Sequence, residues 1–546
     1  MSSTGSAGST SSPDTGPIPI SPSAPDPRRW WALVVIAIAQ LMVVLDATIV
    51  NIALPSAQRD LHMSDGNRQW VITAYTLAFG GLLLLGGRIA DLAGRKRTFM
   101  TGLVGFAAAS ALGGAAHTSG LLFMARALQG AFAALLAPSA LSLLTTTFTV
   151  GKERAKAFGI YGAIAGGGAA IGLIAGGLLT EYLDWRWCLY VNVPIALAAL
   201  LGAGAFLHDD RRRGERPRLD IRGVILGCGG LVSIVYACSE AEPRGWGDPL
   251  VLGLLCGGVA LLAAFAWWQS RAPSPLLPLQ IVRDRNRSGA FLTMGLAVIA
   301  MFGMFLFMTY YLQVVLGYSP VKTGLAFLPV TAAIIVGSTQ ISARLLNHVP
   351  PRALMVPGAV LAAGGLFLLT FLPVEPAYAS HVLPAELLVG LGMGLIFMPV
   401  MATATAGVAP HDSGVTSATV NTAQQVGGSI GTALLNTIAT STSAAYITAH
   451  LKTAAATAAA TGGALTPAAR DTVVKTGVVH GFHVAIAWGS GIMLLAGLVG
   501  GIMVTAGPPK QAGPLGDVEA GAPGTETAEA EERHHMRAYG PEDGPP

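Results

Sequence analysis

Runs of about 20 apolar residues recur along most of this chain, and each is long enough to cross a ~30 Å hydrocarbon core. No other feature constrains the fold as much. Inside lipid a backbone must satisfy its own hydrogen bonds, which leaves helices as the form for such runs. Fourteen runs stand out against their flanks, at about 30–53, 69–90, 98–116, 120–147, 156–180, 187–207, 221–239, 250–269, 288–316, 321–344, 352–373, 383–407, 413–440 and 481–506. Only 11% of the residues are charged, against roughly 25% in soluble domains. The chain is expected to be an all-α integral membrane protein with 14 transmembrane helices.

Orientation follows from the cations, because Lys and Arg are retained on the cytoplasmic side. An even number of spans puts both termini on one side, and Arg28-Arg29 before the first span marks that side as cytoplasmic. Even-numbered turnarounds carry Lys152, Arg154 and Lys156, then Arg211-Arg212-Arg213, Arg216 and Arg218, then Arg271, Arg283, Arg285 and Arg287, then Arg344 and Arg352. Odd-numbered ones, at His117-Thr118, around Glu242-Pro243-Arg244 and at Val374-Glu375-Pro376, are mostly short and poor in cations. Roughly 24 Lys and Arg residues fall inside and about eight outside, a clear positive-inside bias.

A charged segment at 208–220 separates spans 6 and 7, and a weak internal repeat supports two halves. Span 2 ends in Ile89-Ala90-Asp91 and continues through Gly94-Arg95-Lys96; span 10 ends in Ile341-Ser342-Ala343 and continues through Arg344. The expected division is an N-tail at 1–27, a six-helix bundle at 28–207, a charged linker with two inserted helices at 208–287, a second six-helix bundle at 288–506, and a C-tail at 507–546. Residues 441–480, rich in Ala and Thr, are expected to form an external loop, with room for a short helix. Both tails are rich in Pro and Gly and read as disordered; residues 1–27 lack the apolar stretch of a signal peptide.

Composition also excludes function classes. A net charge of +4 is too weak and too scattered for a nucleic-acid partner. Cys188, Cys228, Cys238 and Cys256 lie in apolar runs without metal-ligand spacing and read as buried small hydrophobes. His534-His535 is an isolated pair without further ligands. No Gly-x-x-x-x-Gly-Lys-[Ser/Thr] loop and no His-Glu-x-x-His helix occurs, which argues against ATP binding by that motif and against an intramembrane metalloenzyme. No metal or cofactor is expected.

Two charges lie inside spans. A carboxylate in an apolar helix is costly unless it is paired, protonated or facing a wet cavity, so Asp46 in span 1 is a functional candidate. From Trp30 it lies ~24 Å up at 1.5 Å per residue, and Arg126 in span 4 lies ~21 Å above the same face. Burial favours the neutral carboxyl and a nearby cation favours the ionised one, so a movement that parts Asp46 from Arg126 changes proton affinity. The bland alternative is a permanently ionised pair that only fixes helix packing. Gln129, one turn from Arg126, is expected to face the same cavity. Glu386 and His483, near the outer ends of spans 12 and 14, are secondary proton or cation contacts, with snorkelling to water as their bland reading. Trp267-Trp268, near the inner end of span 8, reads as an interfacial anchor. The Met- and aromatic-rich span 9, from Met301 to Tyr311, suits adaptable binding of large apolar ligands, or equally lipid-facing packing. Tyr75, Gln129, Met304, Phe305, Met308, Asn421 and Gln425 form the candidate lining of a substrate cavity.

Several motifs carry a resemblance. Gly87-Arg88-Ile89-Ala90-Asp91-Leu92-Ala93-Gly94-Arg95-Lys96-Arg97 packs one carboxylate and four cations around glycines between spans 2 and 3. It resembles the cytoplasmic Gly-x-Leu-Ala-Asp-Arg-x-Gly-Arg-Lys loop of the major facilitator superfamily, with Leu92 in place of the usual Arg. Span 5 reads Gly168-Ala169-Ala170-Ile171-Gly172-Leu173-Ile174-Ala175-Gly176-Gly177. This is similar to the family's antiporter motif, but Leu173 replaces its proline and leaves the expected kink without its cause. The four-residue spacing of Gly168, Gly172 and Gly176 puts small residues on one helix face, where another backbone can approach closely. With the Asp46 segment, Trp70 to Tyr75, Trp185-Arg186-Trp187, Val191-Asn192-Val193-Pro194 and Asn421 to Gly431, the chain resembles the fourteen-helix drug:proton antiporters over about 30–506. Gln424 stands where many relatives have Arg.

That resemblance implies a six-plus-two-plus-six major facilitator fold in a bacterial plasma membrane, and a high Ala and Gly content fits a GC-rich bacterial genome. It implies export of a hydrophobic or cationic drug-like substrate in exchange for protons by a monomer, driven by the proton gradient. Asp46 would carry the proton, Arg126 would tune it, and Gly87, Asp91, Gly94, Arg95, Lys96 and Arg97 would latch the cytoplasmic side against neighbouring helix ends. Nutrient uptake by proton symport is the alternative transporter reading, and an intramembrane enzyme is a more distant one.

Overall fold

The computed structural model of the chain describes residues 29–148, 151–207, 220–273, 275–277, 279–346, 348–374, 378–406, 413–460 and 466–507. The expected tails at 1–27 and beyond Gly507, and the charged linker at 208–219, lie outside the described residues. Among the described residues every regular element is helical. They are α1 (Arg29–Asp60), α2 (Trp70–Ala93), α3 (Arg95–Gly114), α4 (Ser119–Thr147), α5 (Gly151–Tyr182), α6 (Trp187–Tyr190), α7 (Asn192–Phe206), α8 (Ile221–Arg244) and α9 (Pro249–Gln269). After these come α10 (Leu279–Arg283), α11 (Arg285–Tyr310), α12 (Pro320–Ala326), α13 (Leu328–Val336), α14 (Ala343–Leu345), α15 (Arg352–Leu368), α16 (Leu383–Thr405), α17 (Ser413–Ala460) and α18 (Pro467–Met503). Wider π turns extend α11 through Tyr311–Val315, join α13 to α14 through Gly337–Ser342, and lead into α16 through Tyr378–Val382.

Each predicted run is helical in the structure, and ten helices among the described residues are long and apolar enough to cross a membrane. Two places differ from the sequence reading. The sixth run is broken between α6 and α7. Pro194 has no N–H to give the Tyr190 carbonyl, so the ladder cannot run through unbroken. The stretch expected as an external loop, 441–480, instead extends α17 to Ala460 and begins α18 at Pro467. Alanine is the strongest helix former, so an Ala-rich stretch continues a helix once one has started. The Thr466 hydroxyl accepts from Ala469 N, and Pro467 opens α18 without wasting a donor. The resulting hairpin is clasped by Tyr446, whose ring lies 3.7 Å from that of His450 and 4.7 Å from that of His480.

Helices α1 to α7 pack on one another, as do α11 to α18, and α8 with α9 forms a separate pair. The α8 helix lies along the seam between α2 and α17, where Leu77, Val235, Cys238 and Ala433 make a small core of their own. Thr437 Oγ1 donates to Cys238 O at 2.8 Å across that seam. On α9 only Val251, Gly258 and Gln269 are buried, as expected for a helix facing lipid.

The two ends of the molecule differ. At the Asp60 end of α1, one continuous core runs from Ile49, Ala53 and Leu54 into Phe307, Tyr311 and Leu312 of the second helix group. At the Arg29 end, the core of α1 to α7 is a separate cluster around Ile36, Phe99, Phe106 and Leu144. The two groups are therefore joined mainly at the Asp60 end.

Candidate functional site

Asp46 sits midway along α1 at 0% exposure and accepts three hydrogen bonds. Arg126 Nη1 donates to Oδ2 at 2.7 Å, while Gln129 Nε2 and Asn192 Nδ2 donate to Oδ1 at 3.0 and 2.8 Å. Arg126 in turn donates through Nε to Val71 O at 2.9 Å and through Nη1 to Gln129 Oε1 at 2.9 Å. Gln129 Nε2 also donates to Ser110 Oγ at 2.7 Å. The guanidinium lies 4.3 Å above the Tyr75 ring. Helices α1, α2, α3, α4 and α7 thus converge on one polar knot in which Arg126, Gln129, Asn192 and Ser110 are all buried. A buried ion pair loses several kcal/mol of hydration per ion, and only full hydrogen bonding of both partners offsets it.

Close helix approach makes this convergence feasible. A Cβ on Gly130 would lie 2.2 Å from Tyr75 O, and one on Gly86 1.9 Å from Ala134 O, so α2 and α4 touch through backbone. Two polar atoms of the knot, Tyr75 Oη and Asn192 Oδ1, are buried without a partner. The sequence reading brought Asp46 and Arg126 to one depth and turned Gln129 to the same cavity, and the structure puts these three in one cluster together with Tyr75, which was expected only as cavity lining. Ser110 was missed. Asn192 was seen only as part of a motif.

The α5 stripe supports the same helix. Cβ atoms on Gly168, Gly172 and Gly176 would meet Val44 Cγ1 at 3.1 Å, Thr48 Oγ1 at 2.0 Å and Ile49 O at 2.8 Å, which are all on α1. Gly177 faces elsewhere, with Val321 Cα 2.7 Å and Pro320 O 2.8 Å from its Cβ position, at the start of α12. Helix α5 is continuous past Leu173. One edge of α5 therefore seats the Asp46 helix, and its end touches the second helix group.

Between α2 and α3 the chain turns at Gly94, whose φ of 96° lies in the region that favours glycine. Lys96 Nζ donates to Leu207 O at 2.6 Å and Gly204 O at 3.1 Å, capping the last turn of α7. Arg88 Nη2 donates to Pro275 O at 2.9 Å, beyond α9. Gly87 sits against Pro138, Arg95 is half-buried and Arg97 is exposed. The Asp91 side chain lies outside the described residues.

The proposed cavity lining divides in this structure, with four of its seven residues buried and three at least partly open. Tyr75 and Gln129 are taken up by the polar knot, and Met304 and Met308 are packed into the core at 1% and 0% exposure. An all-apolar helix buries whichever face its neighbours cover, and here that face includes both methionines. Phe305 is half-buried with its ring 5.2 Å from that of Phe327. Gln425 is half-buried beside Gly80, and Asn421 is exposed.

Polar contacts close the Asp60 end, and no local motif marks them. Arg68 Nη1 pairs with Asp65 at 3.0 Å, Arg68 Nε donates to Asn436 Oδ1 at 3.3 Å, and its guanidinium lies 3.8 Å over the Tyr310 ring. Tyr310 Oη donates to Gln58 Oε1, and Gln313 Nε2 donates to Ile52 O at 3.0 Å. Hydroxyl pairs Thr73–Thr432 and Thr76–Ser429, each at 2.7 Å, continue the contact of α2 with α17.

Comparison with known proteins agrees with this architecture. The family model described as Major Facilitator Superfamily matches residues 36–432. The chain is 58% identical over 497 residues to "Puromycin resistance protein pur8" of Streptomyces alboniger, covering 90% of this chain and 95% of that protein. It is 39% identical over 424 residues to "Cephamycin export protein CmcT" of Amycolatopsis lactamdurans, covering 77% of this chain and 87% of that protein. Among solved structures, the POT family transporter PepTSo aligns with a TM-score of 0.60 at 15% identity, over 88% of this chain and 97% of that one.

Proposed function

The chain belongs to the Major Facilitator Superfamily, and on that premise we propose that it exports an antibiotic or related drug-like molecule across the cell membrane in exchange for protons. The observation that carries the reading is the buried Asp46–Arg126 pair in a chain 58% identical to a puromycin resistance protein over nearly its whole length. No cofactor is needed, and a single chain suffices.

Fourteen crossings, grouped six plus two plus six with both tails in the cytoplasm, fit the helix ranges, the packing groups and the positive-inside bias. The Arg29 end then faces the cytoplasm. A core shared mainly at the Asp60 end corresponds to a transporter closed to the outside. Substrate would enter from the cytoplasm between the two bundles. A rocking motion would next close the Arg29 end, where Lys96 and Arg88 already reach neighbouring helix ends.

Coupling follows from what that motion does to Asp46. Its charge is tolerated in a dry interior only while Arg126, Gln129 and Asn192 all point at it. Helix α1 touches the second bundle directly through Ile52 and Gln58, and α5, which seats α1, touches it through Gly177. A movement of the bundles therefore shifts α1 against α4. Weakened pairing leaves a bare carboxylate, and binding a proton removes that cost.

Inverted membrane vesicles with an acidic lumen test the reading. Adding puromycin should alkalinise the lumen, and Asp46→Asn, compared at equal amounts of folded protein in the membrane, should abolish the signal. Full proton-coupled export by Asp46→Asn would remove Asp46 from the coupling role. Alkalinisation of the bath on uptake into right-side-out vesicles would turn the assignment to symport.

A further inference from the structure

Helices α13 and α16 cross on glycines. A Cβ on Gly390 would lie 2.5 Å from Val330 O, and one on Gly394 would lie 2.6 Å from Ile334 O. Contacts on one helix face repeat every four residues or so, so the next turn towards the Asp60 end brings position 386 opposite position 326. There the chain places Glu386, not a small residue, and buries it at 0% exposure.

Its surroundings do not suit a charge. Tyr378 Oη lies 2.7 Å from Ala326 O and 3.4 Å from Glu386 Oε2, and Glu386 Oε1 has no partner. A tyrosine has one O–H, and a carbonyl can only accept. The shorter contact therefore uses the tyrosine hydrogen, and the longer one is a hydrogen bond only when the carboxyl group itself donates. Among the described residues no Lys, Arg or His pairs with Glu386. Lys322 of α12 is exposed, over the Tyr318 ring, and His381 is half-buried, with its Nδ1 bonded to Ser380 Oγ at 2.9 Å. His483 of α18 is bonded to Leu372 O, and Tyr311 donates to Pro373 O. Helix α13 has no titratable side chain, and the one on α15, Arg352, is at the opposite end.

The element that covers Glu386 also closes the transporter. Ala326 ends α12, and the beginning of α12 lies on α5: Pro320 and Val321 against Gly177, Gly324 against Leu173 O, and Val321 N donating to Glu181 Oε2 at 2.9 Å. We propose that Glu386 is a second proton-exchange site, protonated in the closed packing seen here and ionised when α12 leaves α5 and water reaches it. An unpaired carboxylate and this dry packing exclude each other, so proton release at Glu386 and opening of the Asp60 end are one event. The site deepens the exporter reading and rests on it for its role in transport.

Purified protein in proteoliposomes tests the proposal in two ways. With puromycin as substrate, Glu386→Gln should keep puromycin–puromycin exchange at equal pH and leave the protons moved per puromycin unchanged, because a site that gives up and regains its proton on one face carries none across, and it should remove the dependence of the exchange rate on the pH of the Asp60 side. An unchanged pH profile of exchange would overturn the proposal. Independently, dicyclohexylcarbodiimide, which reacts with protonated carboxyl groups in apolar surroundings, should label Glu386 in the wild-type chain, with yield falling as the pH is raised. Absence of the adduct at every pH would also overturn it. Should the wild type move no protons with puromycin, the exporter reading fails, and the labelling still decides whether Glu386 exchanges a proton.

Discussion

Asp46 and Glu386 are both acids at 0% exposure in apolar helices, yet their surroundings are opposites. Asp46 is saturated: a guanidinium and two amides point at its oxygens from three directions. Glu386 is starved, with one long contact to a tyrosine already engaged elsewhere and one oxygen bare. The first arrangement holds a negative charge in the closed packing, and the second does not. On the proposed coupling, one transporter half keeps a charge until a movement disturbs it. The other half is built to forbid a charge until a movement permits it. The residue type sets neither behaviour; the donors around it do.

The strongest way to break this contrast is to make Asp46 resemble Glu386. Arg126→Met should cost about 3–5 kcal/mol, because it leaves a buried charge uncompensated. Thermal unfolding in detergent would show this as a large drop in midpoint, with low membrane yield. Asp46→Asn/Arg126→Met should regain most of the stability, since both charges are gone, and should still lack proton-coupled export. If Arg126→Met alone is as stable as wild type, Asp46 was not held as a charge and the contrast collapses.

A second comparison ranks the neutral partners. Asn192→Ala removes a hydrogen bond to a charged group and should cost about 1.5–3 kcal/mol, whereas Tyr378→Phe removes neutral contacts and should cost about 0.5–1.5 kcal/mol. The measurement is again the unfolding midpoint, read beside the rate of puromycin-driven proton movement. Loss of rate should follow the same order. A reversed order would mean that Glu386 depends on its tyrosine more than Asp46 depends on its amide.

Much of this was legible before any coordinates. Helix positions follow from run length alone, and counting 1.5 Å per residue from each membrane face brought Asp46 and Arg126 to one depth. The same count would have found Asn192, which lies ~8 Å from the outer start of its run at 1.5 Å per residue, beside Arg126 at ~9 Å. The missing step was to ask which donors a buried carboxylate still lacked. Facing was not legible. Met304 and Met308 stand on a helix that is apolar all round, where periodicity cannot say which side meets protein. The helical hairpin through 441–480 was misjudged because low charge and high Ala content were read as a loop, when Ala-rich chain favours helix. The ties across the Asp60 end, such as Arg68 to Asn436, join residues 368 positions apart and leave no local signal.

The smallest effect concerns the turns at the Arg29 end. In the first bundle Lys96 crosses to cap α7, the helix whose other end supplies Asn192. In the second bundle the Arg344 side chain, directly after the repeat-related Ile341-Ser342-Ala343, bonds among the described residues to Gln340 Oε1 one turn back on its own segment, at 2.7 Å. A cation on another helix's carbonyl end stabilises by about 0.3–1 kcal/mol, and an intrahelical pair by about 0.2–0.5 kcal/mol. Lys96→Gln should therefore lower the unfolding midpoint slightly more than Arg344→Gln. The transport rates separate the two further, because loosening α7 also loosens Asn192 against Asp46, and Arg344 has no such route to Glu386. Equal, negligible effects on rate would confine the asymmetry between the halves to the two buried acids. A slower Lys96→Gln with an unaffected Arg344→Gln would extend it from the membrane interior to the turns at the Arg29 end.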